Sequence, residues 1–142
     1  MGRRASEAFE SWVREAVASI AHDHGLAGRG PVFRRRAGLG GLGFGLERHR
    51  LDPGEAAALA GAPRIEFRFN LGVAIPSLRP AWRAGRDRPP GMLELDLRSP
   101  SRALEPPEDE FWHVFDADDP GSRERLTALT RRGLADALAA IG

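Results

Sequence analysis

Apolar residues occupy every second position from Ile65 to Ile75: Ile65, Phe67, Phe69, Leu71, Val73 and Ile75. Glu66, Arg68, Asn70, Gly72 and Ala74 stand between them. Successive side chains on a strand point to opposite faces, so this alternation predicts a strand with one dry face and one mostly wet face. A strand of that kind belongs to a sheet covered on one side only. The alternation recurs at Leu42, Phe44 and Leu46, set among Gly43, Gly45, Glu47 and His49. It recurs again at Leu93, Leu95 and Leu97, set among Glu94, Asp96 and Arg98. Pro31 to Arg36 predicts a shorter strand with a basic end, and Phe111 to Phe115 a short strand or an extended docking segment.

The two ends of the chain follow a different period. Phe9, Trp12, Val13, Ala16, Val17, Ile20 and Ala21 repeat as one stripe of a helix, with Ser6 as the expected N-cap and Gly25 as the C′ residue. Asp119-Pro120 reads as an N-cap followed by proline in the first helical position. Leu126, Leu129, Leu134, Ala137, Leu138 and Ile141 mark a closing helix. Gly133 within it costs about 1 kcal/mol relative to Ala and predicts a bend or a break. Asp52-Pro53-Gly54 ends the second strand, with one helical turn expected from Glu55 to Ala60.

These elements predict an α+β fold over residues 1–142. A single antiparallel sheet of about four or five strands carries the N- and C-terminal helices on one face. Phe67, Phe69, Leu71, Val73, Leu93 and Leu95 are the expected core beneath the helices. Two segments fit no element. One is the Pro- and Arg-rich stretch from Pro76 to Pro90, long for a hairpin connection. The other is Glu105 to Asp119, with seven acidic side chains and no basic one.

Composition narrows the function classes. The 142 residues include 21 basic and 20 acidic side chains, a formal net charge of +1. That balance argues against nucleic-acid binding by bulk charge, which requires many phosphate contacts. All basic residues are Arg, and Ala, Gly, Pro and Arg dominate, as a GC-rich coding sequence would produce. The absence of Cys excludes disulfides, thiolate metal sites and a Cys nucleophile. No apolar run is long enough for a membrane-spanning helix, so a soluble, cytoplasmic domain is expected. Met1-Gly2-Arg3-Arg4-Ala5-Ser6 fits a myristoylation pattern and starts like a twin-arginine signal. The acidic, amphipathic continuation fits neither.

Each motif with chemical meaning has a simpler competitor. Gly38-Leu-Gly40-Gly41-Leu-Gly43 matches G-x-G-x-x-G, but three Arg precede it and an alternating strand follows. His22 and His24 stand two apart on a helix and diverge. Asp116, Asp118 and Asp119 lack the Gly and terminal Glu of a calcium loop. No G-x-S-x-G elbow is present. No cofactor and no metal are therefore expected. Arg34, Arg35 and Arg36, with Arg79, Arg83, Arg86 and Arg88 around Trp82, could form a basic surface with one stacking ring. Glu47, His49, Glu66, Arg68, Asn70, Glu94, Asp96 and Arg98 should share the outward face of the sheet. Cross-strand Arg–carboxylate pairs would account for most of them.

Phe67 to Val73, Gly43-Phe44, Leu93 to Leu97, Phe111-Trp112 and the helix after Pro120 together resemble the domain-of-unknown-function 4304 family. The resemblance spans most of the chain and implies an α/β domain with a sheet, without implying an activity. The loop from Pro53 to Pro63 and the Arg-rich loop depart from it. The leading expectation is a domain that binds another protein, in an accessory or immunity-type role. The binding residues would be Arg68, Asn70, Glu94 and Arg98 on the sheet and Arg79, Trp82 and Arg83 in the loop. The alternative is an enzyme or binder for a small anionic ligand held by the sheet-face and loop arginines.

Overall fold

The computed structural model describes residues 3–37, 40–50, 52–58, 63–74, 97–99, 104–106 and 112–141. The chain opens with helix α1 (Arg3–Trp12), one π-helical turn (Val13–Val17) and helix α2 (Ala18–Asp23). Strands β1 (Val32–Ala37) and β2 (Gly40–Arg48) follow, then a short helix α3 (Pro53–Ala58). The long strand β3 (Arg64–Ala74) precedes β4 (Leu97–Ser99) and β5 (His113–Asp116), and α4 (Pro120–Ile141) closes the fold.

All strand pairs are antiparallel. β1 pairs with β2 and β2 with β3, Phe44 lying opposite both Phe33 and Leu71. The other edge of β3 is divided: β5 takes Arg64 to Phe67 and β4 takes Leu71 to Val73. The α+β architecture with one antiparallel sheet and terminal helices agrees with the sequence reading.

The core forms where the odd residues of β3 and the even residues of β2 meet the helices. Phe44, Phe67, Phe69 and Ile65 are buried there with Phe9, Trp12, Val17 and Ile20. Phe67 sits 5.1 Å from Phe9 and 5.6 Å from Trp12, ring to ring. From α4, Leu126, Leu134 and Ala137 join the same core. Trp12 Nε1 donates to Thr127 Oγ1 at 3.0 Å, which satisfies a donor that burial would otherwise strand. Arg123 Nη2 and Glu15 Oε2, 2.8 Å apart, tie α4 to the π turn at the surface.

Several boundaries differ from expectation. Helix α1 starts at Arg3, so Ser6 lies inside it, where its hydroxyl accepts from Arg48 Nη1 at 3.2 Å. Gly25 does close the helix at φ 78°, with Leu26 N–H bonded to Ala21 O and Gly25 N–H to His22 O. That pair of bonds is a Schellman motif, and a left-handed residue there favours glycine. Asp52 caps α3 rather than merely ending β2, its Oδ1 accepting from Glu55 N–H at 2.8 Å. Helix α4 runs through Gly133 without a break. Gly133 is buried within it. Leu93 and Leu95 lie outside the described residues. Among the described residues, no helix is long and apolar enough to cross a membrane.

Candidate functional site

The polar side of β2 and β3 carries a ladder of charged and amide groups, placed by register. Glu47 lies opposite Arg68, and Gly45 opposite Asn70. Arg68 Nη2 donates to Glu47 Oε1 at 3.3 Å, and Asn70 Nδ2 donates to Glu47 Oε2 at 2.8 Å. One carboxylate thus fixes two residues of the neighbouring strand. One step along, His49 N–H donates to Glu66 O, and His49 Nδ1 lies 3.1 Å from Glu66 Oε2.

Trp112 finishes the ladder. Its ring stacks on His49 at a centroid separation of 4.5 Å, with 17° between the planes. The Arg68 guanidinium lies 4.7 Å from the Trp112 ring, a cation–π contact. Val114 follows on β5, opposite Glu66, and is the exposed large apolar residue of this end.

Exposure changes along the face. Arg68 and Glu47 keep 39% and 38% of their side chains in water. Asn70, taken as a whole residue, is only 6% exposed, and Gly43, Gly45 and Gly72 beside it are buried. The face expected to be mostly wet is therefore closed at the Asn70 end and open at the Trp112 end. A closed amide must have its donors satisfied, and Glu47 does this for Asn70.

Of the sequence-predicted site residues, the structure brings Arg68 and Asn70 together through Glu47. Arg98 takes the register position opposite Gly72, in the row that continues to Gly43 and Arg34. Glu94, Arg79, Trp82 and Arg83 lie outside the described residues. Trp112 and Val114 join the site without having been singled out for it. Their segment, Phe111 to Phe115, is apolar or aromatic throughout, so no alternation shows which side chains face outward. Only pairing with β3 does.

The other motifs resolve into structure. Gly40, Gly41 and Gly43 belong to strand β2, where a dinucleotide site would need the helix that meets a pyrophosphate; Gly38 lies outside the described residues. His22 Nε2 lies 2.8 Å from Gly28 O, and His113 Nε2 lies 2.8 Å from Leu104 O. Asp116 Oδ1 accepts from Asp118 N–H, Asp118 pairs with Arg4, and Asp119 Oδ1 accepts from Gly121 N–H at the start of α4. Arg35 Nη1 donates to His24 O at 2.7 Å. Among the described residues, no group of three His, Asp or Glu side chains is placed to hold a metal ion.

Chemically, the ladder is a set of pairs within the chain, in which Arg68 Nε alone is buried without a hydrogen-bond partner among the described residues. Glu47, Glu66, His49 and Arg68 each meet a partner within the chain, the outcome that cross-strand pairing alone produces. Glu47 already offsets the charge of Arg68. What the arrangement offers is a preordered surface with an aromatic ring, a guanidinium and an exposed valine side by side. Comparison with protein-family models, curated proteins and solved structures found no match.

Proposed function

We propose that this protein is a protein-binding module of accessory type. Its partner docks on the open end of the polar sheet face, around Trp112, Arg68, His49 and Val114. One observation carries the reading: Trp112 is held by His49 and Arg68 immediately beside the exposed Val114. Trp and Arg are the residue types that dominate binding energy at protein interfaces. A ring already fixed by its neighbours loses little freedom when a partner covers it.

Arg79, Trp82 and Arg83 extend the proposed surface on sequence grounds alone, as do Glu94 and Arg98. Kinship with the domain-of-unknown-function 4304 family and a cytoplasmic setting belong to the same proposal. A small anionic substrate held by Arg68 and Arg98 is the weaker reading, because Glu47 already pairs with Arg68.

The test is affinity capture from native lysate with four baits: wild type, Trp112→Ala, Val114→Glu, and Trp82→Ala with Arg83→Ala. The expected result is a partner retained by wild type and lost with Trp112→Ala and Val114→Glu. Identical partner lists for all four baits would overturn the assignment of this face.

A further inference from the structure

A second set of arginines lies on the helix side of the molecule, away from the ladder. Helix α1, the π turn, the Gly30-Pro31 segment and the end of β2 line a half-open cleft of about 450 Å³. Phe9, Val13 and Leu46, each nearly buried, form its floor, and the exposed Pro31 stands at its side. Arg14, Arg29 and Arg48 line it as well, with Glu10 the one carboxylate among the described lining residues. Three positive charges against one negative leave a balance of two positive.

The three arginines differ in their commitments. Arg48 is held in place: Nη1 donates to Ser6 Oγ at 3.2 Å, Nη2 lies 3.6 Å from Glu10 Oε1, and the guanidinium sits 5.0 Å from the Phe9 ring centroid. Arg14 and Arg29 are exposed and make no hydrogen bond or ion pair among the described residues. The wall is closely packed at Gly30. Gly30 has φ 103°, and a Cβ there would come within 2.5 Å of Val13 Cγ1, so the segment lies directly on the π turn. π turns within helices recur at binding sites because they redirect side chains that a regular helix would stack. Here Val13 and Arg14 belong to that turn.

We infer that this cleft binds a small organic anion, a carboxylate carried on an apolar body of one or two rings. The volume falls in the range of small-molecule sites, with apolar walls and a few charged groups to set orientation. Phe9, Val13, Pro31 and Leu46 cover the body, and Arg14 and Arg29 take the carboxylate through charge-assisted hydrogen bonds. Arg48 adds charge from a fixed position. The site shares no residue with the protein-binding face proposed above.

The experiment is an NMR titration of the full chain with 1-naphthoate and benzoate, each against its neutral alcohol. Saturable shifts are expected at the Gly30, Leu46 and Arg48 amides, with the acids bound at least about tenfold more tightly than the alcohols. Replacing both Arg14 and Arg29 with Gln removes that preference while thermal unfolding stays unchanged, since both residues are exposed and without an ion pair among the described residues. Glu10→Gln acts in the opposite direction and strengthens acid binding about threefold. The inference is overturned by any of four outcomes: no saturable shift with either acid, equal affinity for acid and alcohol, an unchanged preference in the Arg14→Gln/Arg29→Gln protein, or shifts centred on Trp112 and Val114.

Discussion

Phe67 and Arg68 are neighbours on β3, and their side chains belong to different regimes. Phe67 is fully buried, with the rings of Phe9, Trp12, Phe69 and His113 all within 5.6 Å of its own, centroid to centroid. Arg68 is more than one-third exposed, with one carboxylate at 3.3 Å and one ring at 4.7 Å. Burial of a whole aromatic side chain stabilises by several times what a surface ion pair provides. The dry face of the strand therefore sets the fold. The polar face follows the fold and is free to vary with whatever it touches. A contact surface placed there can change without unfolding the domain.

Substitutions that grade this contrast should fall in a definite order. Phe67→Ala opens a cavity under α1, and a loss of about 3–5 kcal/mol is expected in urea denaturation. A loss below about 1 kcal/mol would mean that the aromatic cluster is not the fold's foundation. Glu47→Ala strikes the polar face at its closed end. It strips the acceptor from the nearly buried Asn70 amide, for an expected cost of about 1–3 kcal/mol. Arg68→Gln, which removes the exposed half of the same arrangement, should cost only about 0.2–1 kcal/mol. If the Arg68 and Glu47 variants proved equal, the distinction between closed and open ends would collapse. Val114→Glu lies at the open edge, where stability should move by no more than about 0.5 kcal/mol even as partner capture is lost.

The smallest effect is one of pH. The Arg125 guanidinium, 3.0 Å away, and the Gly121 N–H hold the Asp119 carboxyl below its ordinary value of 3.8. A carboxyl lowered by folding contributes stability above its unfolded pKa and loses it as pH falls through the folded one. Asp119→Asn keeps a capping oxygen without the charge. The thermal stability of wild type over this variant should be level from about pH 5 to pH 7 and shrink below about pH 4. A difference that grows on acidification would reverse the sign and sink the assignment.

Much of this was legible in the sequence because two periods do not overlap. Alternation from Ile65 to Leu71 placed the core residues of β3, and the stripe from Phe9 to Ala21 placed those of the first helix. Asp119 and Gly25 marked their helix ends correctly because their chemistry is local. Ser6 misled because helix start signals are weak beside packing: buried Ala5 belongs to the core, so the helix extends beneath it. The π turn leaves no mark on a stripe of period 3.6. Instead, Ala18 joins the buried set and Ala16 is only half-buried. On β2 and β3, membership of the polar face was readable from parity, yet the partner of each residue required register. Arg14, Arg29 and Arg48 could not be grouped at all. They stand in a helical turn, a loop and a strand, and each looks like an ordinary solvated arginine.

The divided edge of β3 gives the sheet an uneven clock. His49 N–H bonds to Glu66 O, so even-numbered residues of β3 turn their backbone groups toward β2 and odd-numbered ones toward the far edge. There β5 covers Ile65 and Phe67, and β4 covers Leu71 and Val73. Protection of the far edge therefore depends on two separate strands. A substitution that loosens β5 should speed deuterium exchange at the Phe67 amide and leave Leu71 protected. One continuous strand can thus breathe in two halves, with Arg68 and Asn70 near the division.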